Sequence, residues 1–456
     1  MALLTNAIKG TQDVLPQNSY KNRFVEAALC EIAGNYGFRE IRTPVFEHTE
    51  LFNRSVGDTT DVVQKEMYTF LDKGERSITL RPEGTAGAVR AFLEHGLFNE
   101  ALPQKVFYLT SCYRYEKPQA GRLREFHQFG VECFGAESAA ADAEVISLAN
   151  EIFGFLGVEG LELQINSIGC PTCRAEYQKA LKAYFEAKKD DLCETCLSRL
   201  DRNPMRILDC KSPVCSKIAE GAPTVLDFLC DDCKEHFEKL QKYLDAMNIA
   251  YKINPTIVRG LDYYTRTVFE FVATGIGAQG TVCGGGRYDG LCEELGGNHM
   301  PALGFGLGLE RLMLVLEAQG IELPEDQKCN LYVAPAGEAA SLYAAGLVTN
   351  LRQEGIFALF DVSDRGIKAQ MKYANKIGAE FVVVVGDNEI ESGTAKLKNM
   401  ESGEEIDVKL DTLSEDFADI AIRQSVAKLS DELSTDEFKD VDMSGIDINA
   451  LFGGKL

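Results

Sequence analysis

The sequence predicts an α+β domain built on an antiparallel sheet and interrupted by a helical Cys-rich insertion, followed by a C-terminal α/β domain. Three observations predict it. Glycine-bounded strands dominate residues 268–309, which suggests a largely antiparallel sheet with helices packed on it. Eight of the 14 cysteines fall between Cys170 and Cys233, in a stretch whose pattern is mostly helical. From Asn330 onward, strand-like and helix-like segments alternate in regular β-α-β-α-β order, the pattern of a parallel sheet.

Taken in order, residues 20–35 read as an amphipathic helix, and apolar runs at 106–109 and 161–165 read as strands. Residues 114–132 hold a polar loop, marked by Pro118 and Gly121, between strand-like flanks. On the returning strand Phe126, Gln128, Gly130 and Glu132 share a face, because side chains alternate. An amide and a carboxylate make that face a poor core and a good pocket wall; taken alone, the same hairpin fits an exposed charged face equally well. In the C-terminal domain the expected strands are 331–334, 357–362 and 381–385, with helices at 339–353 and 367–377. The linker is expected in 320–328, which carries Pro324. The boundaries that follow are 1–325 for the first domain, interrupted by the insertion at 170–250, then 328–420 and an acidic tail at 421–456. For the tail two readings stay open, a flexible segment or one docked through Ile446, Ile448 and Leu451.

A chain of 456 residues is long enough for two or three domains, and 45% hydrophobic with 26% charged residues is an ordinary soluble composition. The net charge of -23 argues on its face against a phosphate-rich partner. Binding depends, however, on where basic groups sit, and the last 46 residues, with 11 acids against 4 basic residues, carry -7 of that charge. Residues 1–16 show no basic stretch followed by an apolar run, so neither a secretory signal nor a membrane span is expected. With no signal, 14 cysteines imply reduced thiols and a cytoplasmic location.

The clustered cysteines form four pairs: Cys170 and Cys173, Cys193 and Cys196, Cys210 and Cys215, Cys230 and Cys233. Paired thiolates at this spacing suit tetrahedral Zn2+, and eight ligands complete two structural sites with no open position for catalysis. Which pairs combine is not legible, and a set of buried free thiols is the alternative. In Gly304-Phe-Gly-Leu-Gly-Leu-Glu-Arg-Leu312 no Gly-Lys-Ser/Thr follows, so it is no phosphate-cradling P-loop, and it lacks dinucleotide spacing. As a strand it leaves a bare strip on which a ring can lie, with Arg311 placed to cover that ring or meet a phosphate. Residues 258–270, with Arg259, Tyr263 and Tyr264, and the glycine run 284–290 suggest a pocket for a small polar ligand beside a phosphate. If 263–264 is strand, the two tyrosines point to opposite sides, and adjacent tyrosines are often only sheet packing. Arg365, Lys368, Lys372 and Lys376 make one basic stripe if helical, which is commonly a solvated surface.

Together these stretches resemble the histidyl-tRNA synthetase family over most of the chain. Residues 114–132 match motif 2 of class II aminoacyl-tRNA synthetases, 304–312 is similar to motif 3, and 258–270 looks like the histidine-specific signature. Arg81-Pro82-Glu83-Gly84-Thr85 looks like the family's amino-group site, 9–16 matches its N-terminus, and Pro44 sits where motif 1, a dimer element, ends. The resemblance implies a class II catalytic domain and an α/β anticodon-binding domain. The implied activity is ATP-dependent conversion of L-histidine to histidyl-adenylate and transfer to the 3′ end of tRNA(His), with Mg2+ accompanying ATP. It also implies a homodimer and no membrane partner. Arg114 and Arg259 would be catalytic, at the α-phosphate and the substrate carboxylate. Glu83, Gly84, Thr85, Arg114, Gln128, Glu132, Arg259, Tyr263 and Tyr264 would surround histidine, with Glu83 and Thr85 on its ammonium and Tyr264 near the imidazole. Arg114, Glu116, Arg122, Phe126 and Arg311 would surround ATP, with Phe126 stacked on adenine, and a 284–290 loop would close the pocket. Two rivals fit parts of the chain. One is the regulatory subunit of ATP phosphoribosyltransferase, a paralogue that typically lacks the anticodon domain and intact ATP motifs. The other is a zinc-dependent interaction or nucleic-acid module, which leaves the pocket motifs unexplained.

Overall fold

Strand alternation sorts the side chains of the first unit, Met1–Glu325, onto the two faces of one eight-stranded sheet. The computed structural model describes residues 4–56, 60, 62–208, 210, 212–257, 263–273, 280–417 and 420. The strands lie in the order Arg39–Glu40, Gln104–Tyr113, Glu125–Phe134, Ala302–Gly308, Thr281–Arg287, Thr265–Ala273, Leu161–Ser167, Lys252–Ile253. The six central strands pair antiparallel, while the two short outer ones run parallel to their neighbours.

On one face Phe107, Phe129, Val131, Phe269 and Phe305 form a buried core with the helices Pro16–Asn35, Ala139–Phe155 and Leu309–Ala318. The first of these begins four residues before the predicted start, because a proline in the first turn gives up no helical hydrogen bond. Ala139–Phe155 starts at Ser138, whose hydroxyl accepts from the Ala140 N–H at 3.2 Å, and it is apolar round most of its girth because it is buried. Removing a ring such as Phe305 from this core costs about 3–5 kcal/mol. The sheet is therefore a rigid floor for whatever its other face carries.

That other face meets most of the insertion, whose last helix instead buries Phe237, Leu240 and Leu244 in the first core. Helices Pro171–Glu186, Glu194–Arg202, Pro213–Ala219 and Asp231–Ala246 follow the strand Leu161–Ser167. Their Tyr177, Leu181, Phe185 and Cys215 belong to a second apolar cluster that also holds Tyr263, Tyr264 and Tyr288. The first three helices of the insertion and the pocket wall thus share one core.

The second unit, Asp326–Leu456, carries a five-stranded sheet in the order Ala358–Phe360, Leu331–Pro335, Phe381–Val385, Thr394–Asn399, Glu405–Lys409. Its first three strands are parallel, as the alternating pattern predicts. The last two add an antiparallel edge that the sequence reading lacked. Arg365 departs from the predicted stripe: it precedes the helix Ile367–Lys376, and its guanidinium lies 4.1 Å from the Tyr373 ring centroid and 3.5 Å from Asp361. Lys368, Lys372 and Lys376 remain on the helix. The tail 421–456, with Ile446, Ile448 and Leu451, lies outside the described residues. Among the described residues, no helix is long and apolar enough to cross a membrane.

Candidate active site

The site begins at the end of a helix. Glu83 is buried ahead of Thr85–Glu94 and caps it, its carboxylate accepting from the N–H groups of Thr85 at 2.6 Å and Ala86 at 2.8 Å. Burial raises its pKa, and the two N–H donors oppose that. Arg81 fixes the approach to this turn by donating to the carbonyls of Ser111, Thr43 and Pro44. Gly84 donates its N–H to Gln128 Oε1 at 3.2 Å, tying the turn to the strand Glu125–Phe134. Beside it, Arg114 Nε donates to the Pro82 carbonyl at 2.8 Å, with the guanidinium 5.3 Å from the centroid of Phe126.

Arg114 also borders a cavity of about 180 Å3 lined by Glu116, Arg122, Phe126, Gln128, Gly306, Gly308, Glu310 and Arg311. Arg122 pairs with Glu116 at 2.9 Å, and Arg311 donates to the carbonyls of Gly121 and Thr281 at 3.2 and 2.6 Å. Burial, and then the neighbouring guanidinium groups of Arg122 and Arg114, hold the Arg311 pKa below its usual value. Three guanidinium groups gathered at one recess favour a polyanion. A larger cavity, about 830 Å3, lies among His48, Arg54, Arg90, Leu93 and Asn298 and holds none of the predicted residues.

On the far side of Gln128 the recess becomes aromatic. Glu132 is 1% exposed; Tyr108 donates to its Oε1 at 3.0 Å and Tyr288 donates to its Oε2. Burial pushes the Glu132 pKa up to about 8 despite those donors. Tyr263 and Tyr264 precede the strand Thr265–Ala273 instead of lying in it, so they do not diverge as an extended pair would. Their ring centroids are 4.7 Å apart, and Tyr263 meets Tyr288 edge-on at 5.5 Å. The stretch 284–290 is likewise not all loop, since Thr281–Arg287 is a central strand. The bare strip of motif 3 is also partly filled by the protein: a Cβ on Gly304 or Gly306 would come within 2.1 Å of the Glu132 carboxylate or the Gln128 amide. Gly308 stays open toward Arg311 and the cavity. Arg259 lies outside the described residues.

Sequence reasoning missed Tyr108 and named Tyr288 only as part of a loop. The signal for Tyr108 was Gly130, its partner across the sheet, since a Cβ on Gly130 or on Gly84 would sit 2.3 or 2.2 Å from the Tyr108 ring. Both glycines make a slot for that tyrosine.

The eight predicted thiols form two groups, Cys170 with Cys173, Cys230 and Cys233, and Cys193 with Cys196, Cys210 and Cys215; within each, all sulfur atoms lie within 4.8 Å of one another. Tetrahedral zinc with ligands at 2.3 Å needs sulfur atoms about 3.8 Å apart. Separations of 3.5 and 4.0 Å in the first group and 3.9 Å in the second fit that geometry. Cys170 and Cys230 stand at the N-caps of Pro171–Glu186 and Asp231–Ala246. Burial opposes ionisation of Cys170, yet N–H donors of the first helical turn bring its thiol down to about 6, and the Cys196 N–H brings Cys193 to about 7. Burial raises the thiol pKa of Cys173, Cys196, Cys210 and Cys233 in the two groups.

A family profile described as "Histidyl-tRNA synthetase" matches residues 10–312, and one described as "Anticodon binding domain" matches 330–420. Proteins named histidine–tRNA ligase from Caldanaerobacter subterraneus and Acetivibrio thermocellus are each 56% identical over 411 residues, covering 90% of this chain and 99% of theirs. A crystal structure of apo S. aureus histidyl-tRNA synthetase matches with a TM-score of 0.78 and 42% identity, covering 91% of this chain and all of that one. With a helix-capping glutamate, a guanidinium-lined cavity and a tyrosine-held carboxylate along one sheet face, the chain belongs to the histidyl-tRNA synthetase family of class II aminoacyl-tRNA synthetases.

Proposed function

We propose that this chain is a histidine–tRNA ligase whose active site runs from the guanidinium-lined cavity to Glu132. The observation that carries the reading is the position of Arg114, bonded beside Glu83 on one side and bordering the cavity of Arg122 and Arg311 on the other. One substrate can place its ammonium at Glu83 and Thr85 and its imidazole toward Glu132 and Tyr264. Its carboxylate then reaches Arg114, where the α-phosphate of ATP arrives from the cavity with adenine against Phe126. A carboxylate oxygen bonds to the α-phosphorus as the bond to pyrophosphate breaks; the tRNA ribose hydroxyl then takes the acyl group and AMP leaves. No covalent enzyme intermediate is needed, so the protein contributes position and charge. Arg259 takes the partner role at the phosphate on the strength of the family signature alone. Mg2+ carried with ATP would offset phosphate charge, and Glu116 and Glu310 are the carboxylates lining the cavity.

High identity to histidine–tRNA ligases, with the anticodon-binding domain present, favours this reading over the regulatory-subunit alternative. Exposed Phe46, Phe70 and Leu71 on the sheet Phe46–His48, Ser77–Leu80, Thr69–Leu71 support a homodimer. Cysteines that form no disulfide among the described residues support a cytoplasmic setting. Purified protein given ATP, labelled histidine and tRNA(His) is expected to form acid-precipitable histidyl-tRNA. Histidine activation without any charging of the tRNA would overturn the ligase assignment.

The thiol groups are assigned to two structural Zn2+ ions. Protein purified under reducing conditions without added metal is expected to carry two zinc per chain by elemental analysis. Less than a tenth of an equivalent, with all eight thiols titrating freely in the folded protein, would remove the assignment.

A further inference from the structure

The two thiol groups differ in what their helices touch. Cys173 begins the Pro171–Glu186 helix together with Arg174, whose guanidinium donates to the main-chain carbonyl of Tyr264. The chain just before that helix and just after Tyr264 is also cross-tied, since Arg266 N–H donates to Gly169 at 2.9 Å and Ile168 N–H to Arg266 at 2.7 Å. At Gly169 a Cβ would come within 2.5 Å of Cys173 Cβ, so the ligand turn packs directly on this tie. Cys233 begins the other helix, Asp231–Ala246, one turn before His236. His236 Nε2 lies 3.3 Å from Asp142, which is ion-paired to the fully buried Arg287 at 2.6 Å. Arg287 adjoins Tyr288, the donor to Glu132. Arg287 is thus a buttress of the pocket wall.

We infer that the Cys170, Cys173, Cys230 and Cys233 site positions the histidine pocket, with Arg174 holding Tyr264 and the His236–Asp142–Arg287 relay holding Tyr288. This rests on the reading of Glu132 and Tyr264 as histidine contacts. Two helices leave one four-thiol cluster; one polar chain ends on the Tyr264 carbonyl, the other on Arg287, the residue next to Tyr288. The cluster clamps the two helix starts together, so the spacing of the tyrosines follows from the spacing of the sulfur atoms. Around the second cluster, three bonds lie within the insertion: Cys193 N–H donates to Cys215 at 3.3 Å, Lys182 pairs with Asp201 at 2.9 Å, and Tyr184 donates to Ile218 at 2.8 Å. Groups that orient a functional shell typically matter about tenfold or more when removed, although they touch no substrate. Arg174 and Arg287 are therefore positioning residues, and the second cluster is a fold element of the insertion.

Histidine-dependent pyrophosphate exchange, with zinc content measured on the same samples, tests this on the full chain. Arg174→Met is expected to keep both zinc ions and the wild-type KM for ATP while raising the KM for histidine about tenfold or more, with Arg174→Lys recovering part of the loss. Cys170→Ser with Cys230→Ser should lose one zinc and shift the histidine KM in the same direction. Cys193→Ser with Cys210→Ser should lose the other zinc and leave that KM within about twofold. An unchanged histidine KM in Arg174→Met, or equal shifts from the two cysteine pairs, would overturn the inference. If either cysteine variant does not fold, Arg174→Met and His236→Gln decide it, since neither removes a thiol. A wild-type protein with no histidine-dependent exchange would instead overturn the underlying reading of the pocket, and the inference with it.

Discussion

Glu132→Ala is expected to lower kcat/KM for histidine by about a thousandfold or more while leaving the KM for ATP near wild type. The residue is buried and both carboxylate oxygens are engaged by tyrosine hydroxyls, so its removal leaves Tyr108 and Tyr288 without their acceptor in a closed recess. Neutral imidazole offers one donor and one acceptor nitrogen, and a carboxylate held in place can accept from the first. Phenylalanine and glutamine cannot reproduce that pattern and are expected to give no exchange. The protonation of Glu132 adds a second readout. Burial first, opposed by the two hydroxyls, sets its pKa at about 8, so at pH 7 the free enzyme holds a proton there that must leave when an imidazole N–H arrives. Histidine binding should therefore release a proton and tighten as pH rises toward 8. Calorimetry in buffers of different ionisation heat reads that proton, and Glu132→Gln should abolish it. A wild-type KM and rate in Glu132→Ala would separate Glu132 from the imidazole.

Arg114→Ala is expected to depress pyrophosphate exchange by about a hundredfold or more, mainly in rate. Its guanidinium is fixed by the Pro82 carbonyl and Phe126, close to where the reacting oxygen and phosphorus must meet. Charge grows there as the pyrophosphate bond lengthens, and a fixed donor stabilises it without reorganising. Lysine is a point charge and lacks the planar fork, so Arg114→Lys should recover little. Near-normal exchange in Arg114→Ala with an intact circular dichroism spectrum would place the chemistry elsewhere.

Features with a local period were legible in the chain. The shared face of Phe126, Gln128, Gly130 and Glu132 needs only strand alternation, and the β-α-β-α-β order of the second unit needs only apolar spacing. The grouping of thiols was not legible, because it depends on how a helical segment of 60 residues brings Cys230 back to Cys170. Tyr108 was hidden for a related reason: a tyrosine in a strand is ordinary, and only its register with Gly130 shows that it fills the pocket. The arrangement of the tyrosine pair was not legible, because alternation applies only within a strand and this one begins at Thr265. The hairpin of Thr394–Asn399 and Glu405–Lys409 buries only Ala395, Leu397 and Val408 fully, too short an apolar pattern to stand out among its lysines and acids.

The central claim is that this site makes an adenylate of histidine and of no other amino acid. ATP–pyrophosphate exchange measured with each of the twenty amino acids in turn tests it most directly. Rapid exchange with histidine and background rates with the other nineteen is the predicted result. Exchange that is absent with histidine, or that another amino acid supports equally well, would contradict it.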